Sequence, residues 1–209
     1  MRIGIFGGTF NPIHYGHLRA AENVRKEAFL EKVIFVPSHI PPHKELADAT
    51  PSEKRLEAVR LAISGNPHLD VSSFEVDAKG TSYSIKTIEH FSSIYKTVPY
   101  FILGQDAFND IMSWYDARML FSVAHFIVMS IPGARKHELE EIMGSFAKTF
   151  RKTPEGYESS SGKDIIFIDV APNEISSSII RECIKAGKQV SGLIPPAVEK
   201  YIHEERMYM

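Results

Sequence analysis

The chain has one cysteine, Cys183, in 209 residues. A single thiol cannot build a disulfide framework or a cysteine-based zinc site within one chain, and one reduced thiol suits the cytosol. Long apolar runs are also missing. The longest, such as Phe126–Met129 and Ile165–Ile168, fall far short of a bilayer span, so no membrane association is expected. The opening Met1-Arg2-Ile3-Gly4-Ile5-Phe6 meets glycines before the apolar core of a signal peptide could form, and reads as a strand that starts at once. Neither sign of charge dominates: 24 Lys and Arg stand against 26 Asp and Glu, a net charge of -2. That balance gives no electrostatic reason to expect a nucleic-acid partner.

What is present fits one globular domain over 1–209. With 44% hydrophobic and 24% charged residues the chain is too apolar to be disordered. Apolar runs alternate with amphipathic stretches. Strands are expected at Arg2–Phe6, Lys32–Val36, Leu69–Ser72, Val98–Leu103, His125–Met129 and Asp164–Asp169. Helices are expected at Gly16–Phe29, from Pro51 to about Ser64, at Ser82–Tyr95, at Ser176–Ala186 and after Pro195-Pro196. Thr50-Pro51-Ser52-Glu53 has the form of a capped helix start with Thr50 as cap, and Gly187 is a natural C-terminal stop. The alternation implies an α/β fold: a Rossmann-like, doubly wound parallel sheet of about six strands with helices on both faces. The polar, turn-rich stretch Thr153–Lys163 reads as a mobile surface loop. No internal repeat is visible, and the oligomeric state stays open, a homo-oligomer included.

Ligands in such sheets bind outside the carboxyl ends of the strands. After the first strand stands Gly7-Gly8-Thr9-Phe10-Asn11-Pro12-Ile13-His14-Tyr15-Gly16-His17. Glycines at a strand end let the backbone approach a ligand and expose its amides. Thr9 adds a hydroxyl, and His14 and His17 flank a helix start whose amides carry partial positive charge. The pattern suits an anion. It is neither a Walker loop, which ends in Gly-Lys-Ser/Thr, nor the Gly-x-Gly-x-x-Gly dinucleotide fingerprint. Taken singly, a Gly-Gly pair or a lone histidine is more often a tight turn or a capping residue. A metal site at His14, His17, His39 and His43 would lack a carboxylate at ligand spacing.

The string resembles the signature of the nucleotidylyltransferase superfamily, a glycine turn followed by His/Thr-x-Gly-His. In its full form it is most similar to the bacterial nicotinate mononucleotide adenylyltransferases. Further matches cover nearly the whole chain: Pro37 with Pro41-Pro42-His43-Lys44, Gly80-Thr81-Ser82-Tyr83-Ser84, Leu103-Gly104-Gln105-Asp106 with Trp114, and Ile175-Ser176-Ser177-Ser178-Ile179-Ile180-Arg181. Two features depart from the pattern. Ile131 stands where that family usually has Arg before Pro-Gly, with Arg135 just beyond, and Ser178 replaces the commoner Thr. The resemblance implies transfer of AMP from ATP to nicotinate mononucleotide, giving deamido-NAD and pyrophosphate. Its nearest alternatives are adenylyltransferases for nicotinamide mononucleotide or phosphopantetheine, and a non-catalytic nucleotide sensor that kept the pocket.

The chemistry fits the residue types. A mononucleotide's 5′-phosphate is already largely ionised at neutral pH, its second pKa being about 6, and needs no general base. The catalyst must hold two anions together and stabilise charge on the phosphate oxygens. On this reading His17 meets the α-phosphate and transition state, with His14 assisting. Gly7, Gly8, Thr9 and Phe10 shape the ATP turn. Ser177, Ser178 and Arg181, which share a helix start, hold the outer phosphates. Gly104 and Asp106 serve the nucleoside, Asp106 as an acceptor of ribose hydroxyls. Lys44 meets the acceptor's phosphate. Thr81, Ser82 and Tyr83 receive the nicotinate carboxylate, with Trp114 and Tyr115 beside the pyridine ring. Mg²⁺ is expected on the ATP phosphates, with no protein side chain as its ligand.

Overall fold

The computed structural model describes residues 1–41, 50–133, 137–171 and 175–209. Six parallel strands form the centre: β1 (Ile3–Gly8), β2 (Lys32–Pro37), β3 (Leu69–Val71), β4 (Tyr100–Gly104), β5 (His125–Ser130) and β8 (Asp164–Asp169). Each coincides with an expected strand to within a residue or two. Two more, β6 (Phe150–Thr153) and β7 (Gly156–Ser159), complete an eight-stranded sheet ordered β3-β2-β1-β4-β5-β8-β7-β6.

The count of about six strands therefore needs correction. Residues 153–163, read as a loop, begin with a two-residue turn at Pro154-Glu155 and continue as β7, which pairs antiparallel with both β6 and β8. Both strands are mostly polar, with Phe150 and Tyr157 as their only large ring residues against the core, so they lack the apolar alternation that marks a half-buried strand in sequence. Gly156 reveals the close approach: it has φ +152°, and a Cβ there would lie 2.0 Å from the Ile165 carbonyl oxygen on β8.

The sheet is covered on both faces. Ile3, Ile5, Ile34, Val36, Phe101, Leu103, Phe126 and Val128 face one way. They pack beneath α4 (Ser84–Tyr95), α5 (Gln105–Asn109), α6 (Ala117–Val123) and α7 (Leu139–Met143). Phe6, Val33, Phe35, Ile102 and Ile127 face the other way. They meet α1 (Tyr15–Glu27), α2 (Ser52–Ile63), α8 (Ser177–Lys185) and α9 (Pro196–Glu204). This period-2 division is what a doubly wound sheet demands of its strands. A short α3 (Phe74–Asp77) follows β3.

Helix ends show where local signals held. Gly187, at φ +66°, stops α8, and the Lys188 amide reaches back to the Cys183 carbonyl at 2.8 Å. Two starts differ. Thr50 does not cap α2: Pro51 occupies the cap position, and the Thr50 carbonyl instead accepts from Arg55 Nε at 3.1 Å. Helix α4 begins at Ser84, two residues later than expected, because Tyr83 is extended at φ -104°, ψ 122° and serves as cap; the Ser82 amide before it bonds the Ile40 carbonyl at 2.9 Å. No helix among the described residues is long and apolar enough to cross a membrane.

Candidate active site

In sheet order β1 lies between β2 and β4, so successive crossovers leave it in opposite directions. Such a reversal opens a crevice at the strands' carboxyl ends. A cleft of about 570 Å³ lies there, lined by Gly7, Gly8 and Thr9 after β1 and by Gly104 and Asp106 after β4. Ser82, Tyr83, Ser84, Trp114 and Tyr115 line it as well. Nine of the expected site residues thus line one cleft, whereas Phe10, His14, His17, Ser177, Ser178 and Arg181 lie outside its lining. Thr81 is exposed and does not line the cleft; its backbone bridges Ile40. Lys44 and His43 lie outside the described residues, as does Arg135. Ile131 is 48% exposed.

The first turn is packed from within. A Cβ on Gly8 would come 2.8 Å from the Phe10 ring. The glycine is therefore needed for the turn to close over Phe10, which is itself buried at φ +48°. Phe10 in turn supports His17 edge-on at 5.1 Å, and Phe6 does so at 6.3 Å. His14 stacks on His17 with ring centroids 3.7 Å apart. His14 sits at the cap position of α1 but its side chain makes no capping bond, and its Nδ1 is buried without a hydrogen-bond partner among the described residues. Burial pulls its pKa down to about 4, so it is neutral at pH 7. Two stacked imidazoles would repel if both were protonated, and this burial ensures that they are not.

Helix α8 docks onto the same turn. Ser177 Oγ donates to the Pro12 carbonyl at 2.9 Å, and Arg181 Nη1 donates to the Asn11 carbonyl at 2.8 Å. Ser176 caps the helix, accepting from the Ile179 amide at 3.2 Å. Ser178 is exposed at the helix start. The glycine–histidine and serine–arginine motifs, 160 residues apart in the chain, are therefore joined through Asn11-Pro12. At the other end, Trp114 follows a 3-10 turn (Ile111–Ser113) and packs edge-on against Phe101 at 6.2 Å, while the Tyr83 and Tyr115 rings lie 4.7 Å apart. A Cβ on Gly104 would meet no protein atom within 4 Å, so protein packing alone does not demand glycine there. Asp106 is exposed in the first turn of α5, whose cap is Gly104.

Sequence reasoning missed two supports. Arg55 is 1% exposed, yet its guanidinium bonds the carbonyls of Thr9, Ser38 (2.6 Å) and His39 (3.1 Å) in addition to Thr50. It braces the glycine turn against the segment after β2. Burial lowers its pKa, with Tyr208 and Glu53 acting in the opposite sense, and its hydrogen bonds go to carbonyl dipoles. The signal was available: Ser52, Arg55, Val59 and Ile63 share one buried stripe of α2, where a charge must find partners. The second support is Tyr208, whose hydroxyl donates to Asn11 Oδ1 at 2.7 Å; burial pushes its pKa up to about 12. It lies one residue from the chain's end, where no motif points to it.

Comparison with known proteins agrees with this geometry. Residues 5–183 match the cytidylyltransferase-like family model. A probable nicotinate-nucleotide adenylyltransferase of Geotalea daltonii is 42% identical over 100% of this chain and 98% of its own length. A protein of the same description from Thermoanaerobacter is 39% identical over 100% of this chain and 94% of its own length. In structure, Plasmodium falciparum nicotinic acid mononucleotide adenylyltransferase complexed with NaAD superposes with a TM-score of 0.73 at 18% identity, covering 99% of this chain and 97% of that one. That likeness establishes the shared fold. With full-length identity near 40% to its bacterial relatives and a cleft assembled from the superfamily's motifs, the chain belongs to the cytidylyltransferase-like family and, within it, to the nicotinate-nucleotide adenylyltransferases.

Proposed function

We propose that this chain transfers the AMP moiety of ATP to the 5′-phosphate of nicotinate mononucleotide, giving deamido-NAD and pyrophosphate in NAD biosynthesis. The observation that carries the reading is one cleft with the Gly7–Thr9 turn on one side and Tyr83, Ser84 and Trp114 on the other. The full-length relatives named for this activity support it. The acceptor phosphate attacks the α-phosphorus in line, the bond to the bridging oxygen breaks, and pyrophosphate leaves; no covalent enzyme intermediate is needed. The chain's part is to hold two anions at reacting distance and to offer donors where charge builds. His17 faces the α-phosphate, with neutral His14 stacked behind it. The amides of Gly7 and Gly8, and Thr9, contact the triphosphate. Ser177, Ser178 and Arg181 take its outer phosphates, and Asp106 the ribose hydroxyls.

Mg²⁺ enters with ATP. The phosphate end is furnished with imidazole, hydroxyl, amide and guanidinium groups, and no cluster of three His, Cys, Asp or Glu able to hold a metal occurs among the described residues. That donor set fits an ion carried on phosphate oxygens and water. The test is a product assay with ATP, Mg²⁺ and each of nicotinate mononucleotide, nicotinamide mononucleotide and phosphopantetheine. Pyrophosphate release should require ATP, Mg²⁺ and nicotinate mononucleotide together. Equal or faster turnover with phosphopantetheine would overturn the reading.

Arg181→Ala should weaken ATP binding while sparing the acceptor. Its guanidinium is anchored on the Asn11 carbonyl through Nη1, which holds its fork at the serine-rich helix start. Calorimetric titration of the folded variant decides: ATP affinity equal to wild type would assign Arg181 to bracing the Asn11 loop alone.

A further inference from the structure

We propose that Glu75, buried in the cleft wall, is a positioning residue that holds α4 through Thr87 and so aims the start of that helix at the acceptor's ring substituent. The inference rests on the reading of that helix start as the acceptor site. Glu75 belongs to α3, lines the cleft and is only 8% exposed. Thr87 Oγ1, on the second turn of α4, donates to Glu75 Oε1 at 2.5 Å, both groups being buried. Against the upward push of burial on its pKa, the nearby Ser82 hydroxyl favours the ionised carboxylate. Ser82 Oγ accepts from the His39 amide at 3.0 Å, while its own amide is bonded to the Ile40 carbonyl. Glu75 thus joins α3 to α4, and Ser82 fastens the turn before α4 to the segment after β2.

A packing role alone would not call for a carboxyl group. No cation pairs with Glu75 among the described residues, and burial pushes its pKa upward. An apolar side chain of like volume would satisfy the core at lower cost. What the carboxyl group supplies is direction. Its Oε1 fixes the Thr87 hydroxyl while His39 and Ile40 fix Ser82, and Tyr83 and Ser84, the residues that open α4 into the cleft, lie between these two anchors in the chain. The first amides of a helix have no intrahelical partner, and their aim is set by whatever holds the first turn.

The experiment compares Glu75→Leu, which keeps the volume and removes the latch, with Glu75→Gln, which keeps an acceptor oxygen. Thr87→Val is the third variant: it removes one donor to Glu75 from a fully buried residue outside the cleft lining. Glu75→Leu should raise KM for nicotinate mononucleotide about tenfold, the effect of losing about one hydrogen bond, with KM for ATP near wild type. Thr87→Val should move the same parameter in the same direction, and Glu75→Gln should recover most of the loss. The inference is overturned if the acceptor KM is unchanged in Glu75→Leu and Thr87→Val. It is equally overturned if both KM values rise together, or if Glu75→Gln is as impaired as Glu75→Leu. Should Glu75→Leu fail to fold, the isosteric Thr87→Val and Glu75→Gln decide by the same KM split. A wild type that uses acid and amide acceptors equally would instead overturn the acceptor-site reading beneath the proposal.

Discussion

His17→Ala should lower kcat by roughly 10²–10³, the scale for removing one preorganised donor from a transition state. ATP affinity should fall much less, because the negative charge that His17 meets grows only as the α-phosphorus becomes crowded with oxygens. The structure gives a reason to expect preorganisation. The imidazole is held edge-on by Phe10 at 5.1 Å and stacked on His14 at 3.7 Å, so little motion is left to freeze when the reaction begins. With His14 held neutral by burial, the stacked pair does not carry two positive charges at pH 7. Single-turnover kinetics beside calorimetric ATP binding separates the two effects. A variant with wild-type kcat would return His17 to a packing role between Phe10 and His14.

The second large effect is a preference for nicotinate over nicotinamide mononucleotide of about 10²-fold or more in kcat/KM, from two charge-assisted hydrogen bonds at about 1.5–3 kcal/mol each and tenfold per 1.4 kcal/mol. A carboxylate accepts from donors on every side. An amide offers one acceptor oxygen and would turn its NH₂ towards the same donors, leaving groups unpaired. Because the Ser82 amide is spent on Ile40, the donors are those at the opening of α4, at Tyr83 and Ser84. Trp114 presents a similar face to both rings, so Trp114→Ala should weaken both substrates nearly in proportion. Ser82→Pro removes the amide that fastens the turn to Ile40 and should compress the ratio. The measurement is kcat/KM for both mononucleotides on wild type and these variants; a wild-type ratio near one would refute the assignment of this turn.

The parallel core was legible because its strands are buried on both faces and read as unbroken apolar runs; Val33–Val36 and Phe126–Val128 are examples. The hairpin Phe150–Ser159 was not, since each of its strands gives the core only one large apolar or aromatic residue, Phe150 and Tyr157, and so shows neither a run nor an alternation. Of the residues carried by contiguous motifs, Gly7–Thr9, Ser82, Tyr83, Gly104, Asp106, Trp114 and Tyr115 line the cleft, while the histidines and the serine–arginine start meet around Asn11-Pro12 outside its lining. The supports did not announce themselves, because their meaning lies across the chain. Arg55 reads as one more charge in a helix until its three distant carbonyl partners are seen. Glu75 reads as a surface acid until Thr87, 12 residues on, closes on it. Helix α4 starts two residues after the local signal at Ser82, because that residue is drawn to Ile40, 42 residues earlier, and the extended Tyr83 follows.

The two packed layers flanking the sheet divide the labour of the cleft. The stacked histidines and the serine–arginine start belong to α1 and α8, on one face. The helix start at Ser84 and the Trp114 ring belong to the other. The strands β1 and β4 run beneath both, and the segment after β2 joins them: Arg55 of α2 holds the segment's Ser38 and His39 carbonyls, while the His39 amide and Ile40 carbonyl bond Ser82. Substitutions in the ring pocket that leave that segment in place should spare the triphosphate end and combine near additively with changes there. A lineage built on this plan can exchange one acceptor for another by repacking a single layer while inheriting its adenylylating machinery intact.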